Sequence, residues 1–510
     1  MGIPYYFYTL TKSYKSILIN SIDNIPIDFL FLDFNGIIHP VSSKYQNDEL
    51  IFEALWNKVL EYIKLYNPKK LHICTDGIAP LAKVIQQRKR RYLSTLRKKL
   101  DNENNNWDSN AITPGTNFMK KLNNFMTDKV RYHSNTNTII YYSGSNEVGE
   151  GEHKILNIIK NSDYDNNIVV NGLDADLIIL SLMSHKNNIY LMRETTEKNN
   201  NIVYNYLNIN NLRKAIISEL ISKWNLEKLE EYDNIFSDNS NNLIDNYCVM
   251  CSLLGNDFIP HLLTLNLKNN GLELILNYTK NSINANDFLV IEDKINHKCL
   301  TDIFLQLANT EDTDLYKLTE IYLNKNEDRS KTNSDYYAIK NKDPIAKEIY
   351  SNFKNWKHIY YKYMFNTNIL VNSSIIFNAC ENYIKGIYWT FNYYKFGIID
   401  HEWYYPYEYP PTLKDITNHS IGNSVPEIKQ NGEFISNDIQ LLIVLPKSSA
   451  NLMNQKLIKY TESIDQGLYH IFPEKYKIIT YLKTHLWECS PILPRINIEY
   501  IKNLVYNCKY

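Results

Sequence analysis

The 510-residue chain has no surplus of either charge: 55 Lys and Arg stand against 56 Asp and Glu, a formal net charge of −1. That balance excludes a uniformly basic nucleic-acid coat and leaves only local patches to carry electrostatic function. No apolar run approaches the roughly 18–20 residues that cross a bilayer, so no membrane partner is expected. A basic-then-apolar leader is missing at the N-terminus, and Tyr6 breaks the Gly2 myristoylation pattern. Cysteines number seven, an odd count without framework spacing. This excludes a disulfide scaffold and fits a reducing compartment, the cytoplasm first and the nucleus as the alternative. There is no internal repeat, P-loop or nucleophilic triad. What the chain does hold is 44% hydrophobic and 13% aromatic residues, enough to bury cores and to exclude wholesale disorder.

Three asparagine-rich stretches, Asn102 to Asn106, Asn199 to Asn201 and Ser237 to Asn242, read as solvated loops. A polar segment, residues 324–344 and closed by Pro344, divides residues 1–323 from a second block, 345–510. Short apolar runs in the first block read as buried strands: Ile27–Leu32, Leu71–Thr75, Thr138–Tyr142, Ile168–Val170 and Ile189–Met192. Helical patterns alternate with them over Glu49–Leu65, Ala82–Leu100, Gly115–Val130 and Glu152–Lys160. This alternation predicts an α/β fold, a mostly parallel sheet with helices on both faces. The second block is richer in Tyr and Trp and largely helical.

Acidic residues recur where such strands end. Asp33 closes FLFLD, Asp76 closes LHICTD, and Asp174 follows VVNGL. Side chains just past the carboxyl ends of parallel strands converge on one crevice. Asp176 follows Asp174 by two, and Glu150 and Glu152 share that spacing, which puts both members on one side of extended backbone. Asp257 lies in a Gly-Asn turn after an apolar helix. Taken singly, any one of these acids is better explained as a helix cap or turn residue. Seven carboxylates together need positive charge, and hard oxygen ligands suit Mg²⁺ or Mn²⁺, two ions by expectation. His153 reads instead as a polar residue at a helix start, and Cys248-x-x-Cys251 as buried small hydrophobes instead of a zinc site.

Six residues after Asp76 begins AKVIQQRKRRYLSTLRKKL, in which Lys83, Gln87, Arg90 and Arg91 share a helix face at i, i+4, i+7 and i+8. Such a face suits a terminal phosphate dianion, although a solvated helix or a nuclear-localisation segment explains the run as well.

In order along the chain, MGIPYYF, DFNGIIH (33–39), DGIAPLAKVIQQRKRR (76–91), ITPGTNFM (112–119), GEGEHK (149–154), GLDADL (172–177) and LLGNDFIPH (253–261) resemble the signatures of the XRN family of 5′→3′ exoribonucleases. Trp389, WYYPYEY (403–409), LIVLP (442–446) and WEC (487–489) resemble the second block of its core. The resemblance implies a PIN-like nuclease core that degrades 5′-monophosphorylated single-stranded RNA processively to mononucleotides with Mg²⁺ or Mn²⁺. It implies metal ligation by Asp33, Asp76, Glu150, Glu152, Asp174, Asp176 and Asp257, and a 5′-phosphate pocket of Lys83, Gln87, Arg90 and Arg91. It further implies base stacking by His39 with Trp403, and Asn35 holding the ligating carboxylates. A role in mRNA decay, a decapping activity upstream and a monomeric state are expected with it. Two departures concern the site: the proline usual before GEGE is absent, and His401 with Trp403 stands where the family has paired tryptophans. The chain also stops where the core stops and lacks the family's zinc-knuckle insertion, so docking through such extensions is not expected. Two rival readings share the same residues, a structure-specific flap endonuclease on DNA and a catalytically dead RNA-binding scaffold.

Overall fold

A computed structural model describes residues 3, 5–103, 107–133, 137–172, 174–196, 202–222, 240–283, 288–326, 332–368, 372–397, 400–462 and 468–509. The asparagine-rich stretches at 104–106, 199–201 and 237–239 lie outside them. Seven strands form one sheet: β1 (Leu18–Ile19), β2 (Phe29–Asp33), β3 (Lys70–Cys74), β4 (Ile139–Ser143), β5 (Ile168–Asn171), β6 (Ile189–Thr196) and β7 (Ile202–Asn208). Their order is β1-β7-β6-β5-β2-β3-β4. Strands β6, β5, β2, β3 and β4 run parallel, with β7 and β1 added antiparallel at one edge. The parallel strands fall where the apolar runs predict them. β1 and β7 are additions that the sequence pattern does not reveal, because their alternation is weak and their partners are distant in the chain.

Alternation along β2 explains the layering. Phe31 points into one core, while Leu30 and Leu32 point into another on the opposite face. The helices α2 (Asn35–Ser42), α3 (Asp48–Tyr66) and α5 (Asn117–Arg131) cover the Leu30 face. The Phe31 face is covered by α6 (Gly151–Lys160), α7 (Asp176–Met183) and the helices Ile209–Leu220 and Ser240–Ser252. Apart from Asp176 and Ser181, α7 is apolar all round, and every residue of it is buried, as befits a helix sandwiched between sheet and helices. The basic helix α4 (Leu81–Leu100) leaves the two layers: its Leu81 and Val84 pack with Ile439, Leu442 and Val444 of the second block.

That block is largely helical, as expected. The core on the Phe31 face continues without a break into it, through Tyr383, Ile387, Trp389 and Tyr393 of the helix Ser374–Phe396 and on to Trp403 and Leu413. Within residues 324–344, a short helix Tyr337–Lys340 places Ile339 in an aromatic core with Tyr360 and Tyr481. Cys248 and Cys251 are buried in the apolar helix, and His297 bonds Tyr388 and Ser420. Among the described residues no helix is long and apolar enough to cross a membrane.

One buried acid ties two of these helices together. Glu311, fully buried on the helix His297–Asn324, accepts the backbone N–H of Leu413 at 2.7 Å and of Lys414 at 3.3 Å, at the N-terminus of the helix Leu413–Gly422. Burial raises its pKa from 4.5 to about 7, against the pull of those two N–H groups. The folded state therefore holds this proton more tightly than the unfolded chain. Its contribution to stability is full below the ordinary glutamate value and is lost as pH rises through about 7. In thermal melts, Glu311→Gln should gain on the wild type between pH 5 and pH 8; a difference that does not change with pH would show that Glu311 is not buried as a titrating acid.

Candidate active site

The chain runs from β2 to β3 and β4 on one side, then returns to β5 and β6 on the other. The switch point therefore lies at the carboxyl ends of β2 and β5, where open parallel sheets bind ligands. Asp33 is the last residue of β2; Asp76 follows β3 by two residues, and Asp174 follows β5 by three. Glu150 is the residue before α6, Glu152 lies in its first turn, and Asp176 opens α7. Asp257 comes in from the turn after Ser240–Ser252. The seven form one electrostatic network. Asp33 is raised by Asp76 and Asp174, Glu150 by Asp76, Glu152 by Asp176 and Asp174, and Asp176 by Asp257. Burial is the largest cause in each case, and it pushes Asp33, Glu152 and Asp176 well above the carboxylate range.

Backbone and amide groups aim these acids. Asn35, the first residue of α2, donates to Asp76 Oδ2 at 2.7 Å and accepts from the Asp76 N–H at 3.3 Å. The Gly151 N–H, at the start of α6, donates to Asp76 Oδ1 at 2.7 Å, so a helix N-terminus faces that carboxylate. A side chain at 151 would not fit: a Cβ there would lie 2.9 Å from the Cys74 carbonyl oxygen and 3.2 and 3.3 Å from Asp33 and Asp76 oxygens. The loop lacking its family proline is held instead by backbone bonds, Gly149 N–H to Ile78 O and Gly77 N–H to Gly149 O, with Gly149 at a φ of 97° that suits glycine.

The charge at the centre of this cluster is Lys83. Its ammonium lies 2.8 Å from Glu150 Oε1, 2.8 Å from Asp257 Oδ2 and 3.6 Å from Glu152 Oε1. Burial alone would lower its pKa, but the surrounding carboxylates outweigh that and hold it protonated. Asp257 is held below the carboxylate range, because Lys83 and Arg90 overcome its burial. The helix face drawn from the sequence is thus divided: Lys83 serves the acids, while Arg90 is exposed. Arg91 is pinned by Asn110 Oδ1 at 2.5 Å and Ile112 O at 3.4 Å, and burial, then Arg90, lowers its pKa to about 10. Gln87 is half-buried, and its Oε1 has no hydrogen-bond partner among the described residues.

His39 lies in the last turn of α2 with its side chain exposed. Desolvation first, then Arg90 and Arg91, press its pKa down to about 4, against the pull of Asp76. It therefore joins the basic helix to the acids. Trp403, expected to stack with it, is 6% exposed; it packs on Trp389 with centroids 5.2 Å apart and donates to Asn382 Oδ1 at 3.2 Å. Among the described residues no ring lies against His39. His401 is also buried, against Phe434.

One participant, Tyr393, is missing from the sequence reading, and a second, His153, is set aside there as a residue of the helix start. Tyr393 of the second block donates from its hydroxyl to Glu150 Oε2 at 2.8 Å and stacks on His153 with centroids 3.8 Å apart. His153 itself is buried, with ligand atoms within 4.8 Å of Glu150 and Glu152, and its Nε2 has no hydrogen-bond partner among the described residues. Burial, first, and Lys83 keep its ring neutral. Only its place in GEGEHK signals the histidine, and nothing local signals the tyrosine, 243 residues away.

The model of the "XRN 5'-3' exonuclease N-terminus" matches residues 1–195, and that of the "Xrn1 helical domain" matches 237–355 and 314–505. The chain is 27% identical to human 5'-3' exoribonuclease 1, which covers 100% of this chain and 34% of the human protein. It is 26% identical to 5'-3' exoribonuclease 1 of Saccharomyces cerevisiae, over 97% of this chain and 42% of that one. To the 5'-3' exoribonuclease 2 homolog of Drosophila melanogaster it is 24% identical, over 98% and 70%. The chain thus spans about a third of the length of the human relative. A solved structure, the catalytic core of Rad2 in complex with DNA substrate, aligns with 85% of this chain and 97% of its own at 11% identity, with a TM-score of 0.34, too low to carry an argument.

Removing Lys83 tests how the acids are kept together. Lys83→Met should cost the metal-free protein about 3–5 kcal/mol, the usual cost of stranding buried charges. Added Mn²⁺ should raise its melting temperature more than that of the wild type, since the ion no longer competes with an ammonium. An unchanged metal-free melting temperature would mean that protonation, not Lys83, neutralises the carboxylates.

Proposed function

Because this chain belongs to the XRN family of 5′-3′ exonucleases, we propose that it is a metal-dependent 5′→3′ exoribonuclease acting processively on single-stranded RNA with a 5′-monophosphate. The observation that carries this reading is the meeting of two opposite surfaces at one sheet edge. Seven carboxylates gather at the switch point, and the basic helix α4 brings Arg90 into a cavity that also takes in Asp257. The residues fit a hard divalent cation such as Mg²⁺ or Mn²⁺. Carboxylate oxygens predominate, and Asp176 Oδ2 is buried without a hydrogen-bond partner among the described residues. Asp33, Asp76, Glu150, Glu152, Asp174, Asp176 and Asp257 would hold the ions, two by expectation. When bound, the metal supplies an activated water and charge stabilisation at the leaving oxygen.

The chain's own residues do the rest. Asn35 and the Gly151 N–H fix Asp76, and Tyr393 fixes Glu150, so the carboxylates are held before substrate arrives. Arg90, with Arg91 and Gln87 beside it, would receive the terminal phosphate through charge-assisted bonds. His39, uncharged and exposed, would present a flat face for the terminal base. Degradation in a reducing compartment, the cytoplasm first, as a monomer and downstream of a decapping activity, completes the proposal.

End-labelled RNA tests it. With Mg²⁺, the monophosphorylated transcript should disappear from its 5′ end, and capped or triphosphorylated transcripts should persist; equal rates on all three would overturn the proposed specificity. Asp174→Ala should abolish cleavage while RNA binding remains measurable. Arg90→Ala should keep cleavage and erase the preference for a monophosphate over a hydroxyl end.

A further inference from the structure

Besides Tyr393, the second block sends another tyrosine toward the carboxylates. Tyr394 lies in the last turn of the helix Ser374–Phe396 and is 4% exposed. Its ring centroid is 5.9 Å from that of His153, the neighbour of Glu152, and 6.0 Å from that of Phe258, the neighbour of Asp257. Its hydroxyl is buried and has no hydrogen-bond partner among the described residues. Leaving such a group unpaired costs about 1–3 kcal/mol, so a folded chain seldom keeps one without a use for it. Asp176 Oδ2, an acceptor, is buried and unpartnered in the same way. Burial first, then Asp176, Glu152 and Asp257, raise the Tyr394 pKa well above the usual tyrosine value, with Lys83 opposing. Tyr394 is therefore a neutral donor that feels the acids of the cluster.

Its neighbour shows what such a hydroxyl does at this site. Tyr393 donates to Glu150 Oε2, which leaves Glu150 Oε1 turned to the Lys83 ammonium. One carboxylate oxygen is held by the second block and the other faces the cation. Consecutive residues of a helix point about 100° apart, so Tyr394 addresses a different acid from Tyr393. The turn that carries both is firmly fixed. Lys160, in the last turn of α6, donates to the carbonyl oxygens of Tyr394, at 3.0 Å, and of Lys395. Lys395 donates to Asp245 Oδ2 at 2.7 Å, and His185 Nε2 bonds Asp245 Oδ1 at 2.9 Å. The tyrosines are thus bound to the helix that carries Glu152 and to the one that leads into Asp257.

We propose that Tyr394 is a positioning residue for divalent-cation binding, its hydroxyl holding Asp176 in a ligating orientation as Tyr393 holds Glu150. This rests on the metal-dependent reading of the site and extends it: the second block supplies two adjacent hydroxyls, one for each acid. Outer hydrogen bonds of this kind fix which way a ligating oxygen points, and their loss is felt as lost metal affinity.

Tyr394→Phe in the full chain keeps the ring and removes only the hydroxyl. Mn²⁺ titration of the RNA-free protein, followed by the paramagnetic resonance of the free ion, should show affinity about tenfold weaker than in the wild type. The metal-free melting temperature should stay level or rise, because the hydroxyl has no partner to lose. In cleavage assays the Mg²⁺ concentration giving half the maximal rate should rise by the same factor, with KM for RNA at saturating Mg²⁺ unchanged. A lower metal-free melting temperature with wild-type Mn²⁺ affinity would overturn the proposal, since Tyr394 would then only pack the helix. Wild-type affinity with an unchanged melting temperature overturns it equally. A wild type that binds no Mn²⁺ would instead sink the metal-dependent reading.

Discussion

Mutual repulsion among buried carboxylates is the constraint around which this protein is built. At an effective dielectric of about 20, two unit charges 4 Å apart repel by roughly 4 kcal/mol, and here seven acids share one crevice. Protein charge answers only part of it. Lys83 pairs with Glu150 and Asp257 and reaches Glu152, which leaves Asp33 and Asp176 to ease the remainder by holding their protons. The acids converge for a topological reason, not a local one. The chain reverses its direction of travel across the sheet between β2 and β5, and the loops after four parallel strands are forced to the same edge.

Several features make sense as means of keeping that edge in register. α4 departs from the helical layers of the sheet and is clamped against the second block through Leu81 and Val84, which fixes Lys83 among the acids. Gly77 and Gly149 join two loops by backbone bonds, so the distance from Asp76 to Glu150 does not depend on side chains. Gly151 leaves room where a methyl group would displace Asp33 and Asp76. The second block completes the site and does not merely flank it. Tyr393 arrives on a helix whose inner face, Tyr383, Ile387 and Trp389, is continuous with the core beneath the sheet. A metal-ligating glutamate oriented by a hydroxyl from so far along the chain makes the two blocks one catalytic unit, on the proposed function.

Much of this was legible in advance. Five apolar runs lie on the five parallel strands, because parallel strands inside a sheet are nearly continuous in Val, Ile and Leu. β4, expected to be buried, is instead the edge strand, with Ile139 and Tyr141 exposed. Acids at their ends, glycines between the glutamates and the basic helix after Asp76 were visible as spacing. The division of labour on that helix was not. Periodicity puts Lys83, Gln87, Arg90 and Arg91 on one face, but it does not say that the first turn meets carboxylates while the third reaches the open cavity. The aromatic assignments show the same limit. Trp403 and Trp487 are indistinguishable by composition, yet one is buried against Trp389 and the other is half open beside Tyr5.

The near-zero net charge sums up the difference between the two levels. By itself the sequence determined the element types, the parallel core and the chemistry of the acids, since these follow from residue-by-residue hydropathy and from spacing along one strand or helix. Only the tertiary structure decided which cation neutralises the acids, which tyrosine orients Glu150 and which aromatics remain exposed. Those depend on contacts between segments tens to hundreds of residues apart, and no local period encodes such contacts.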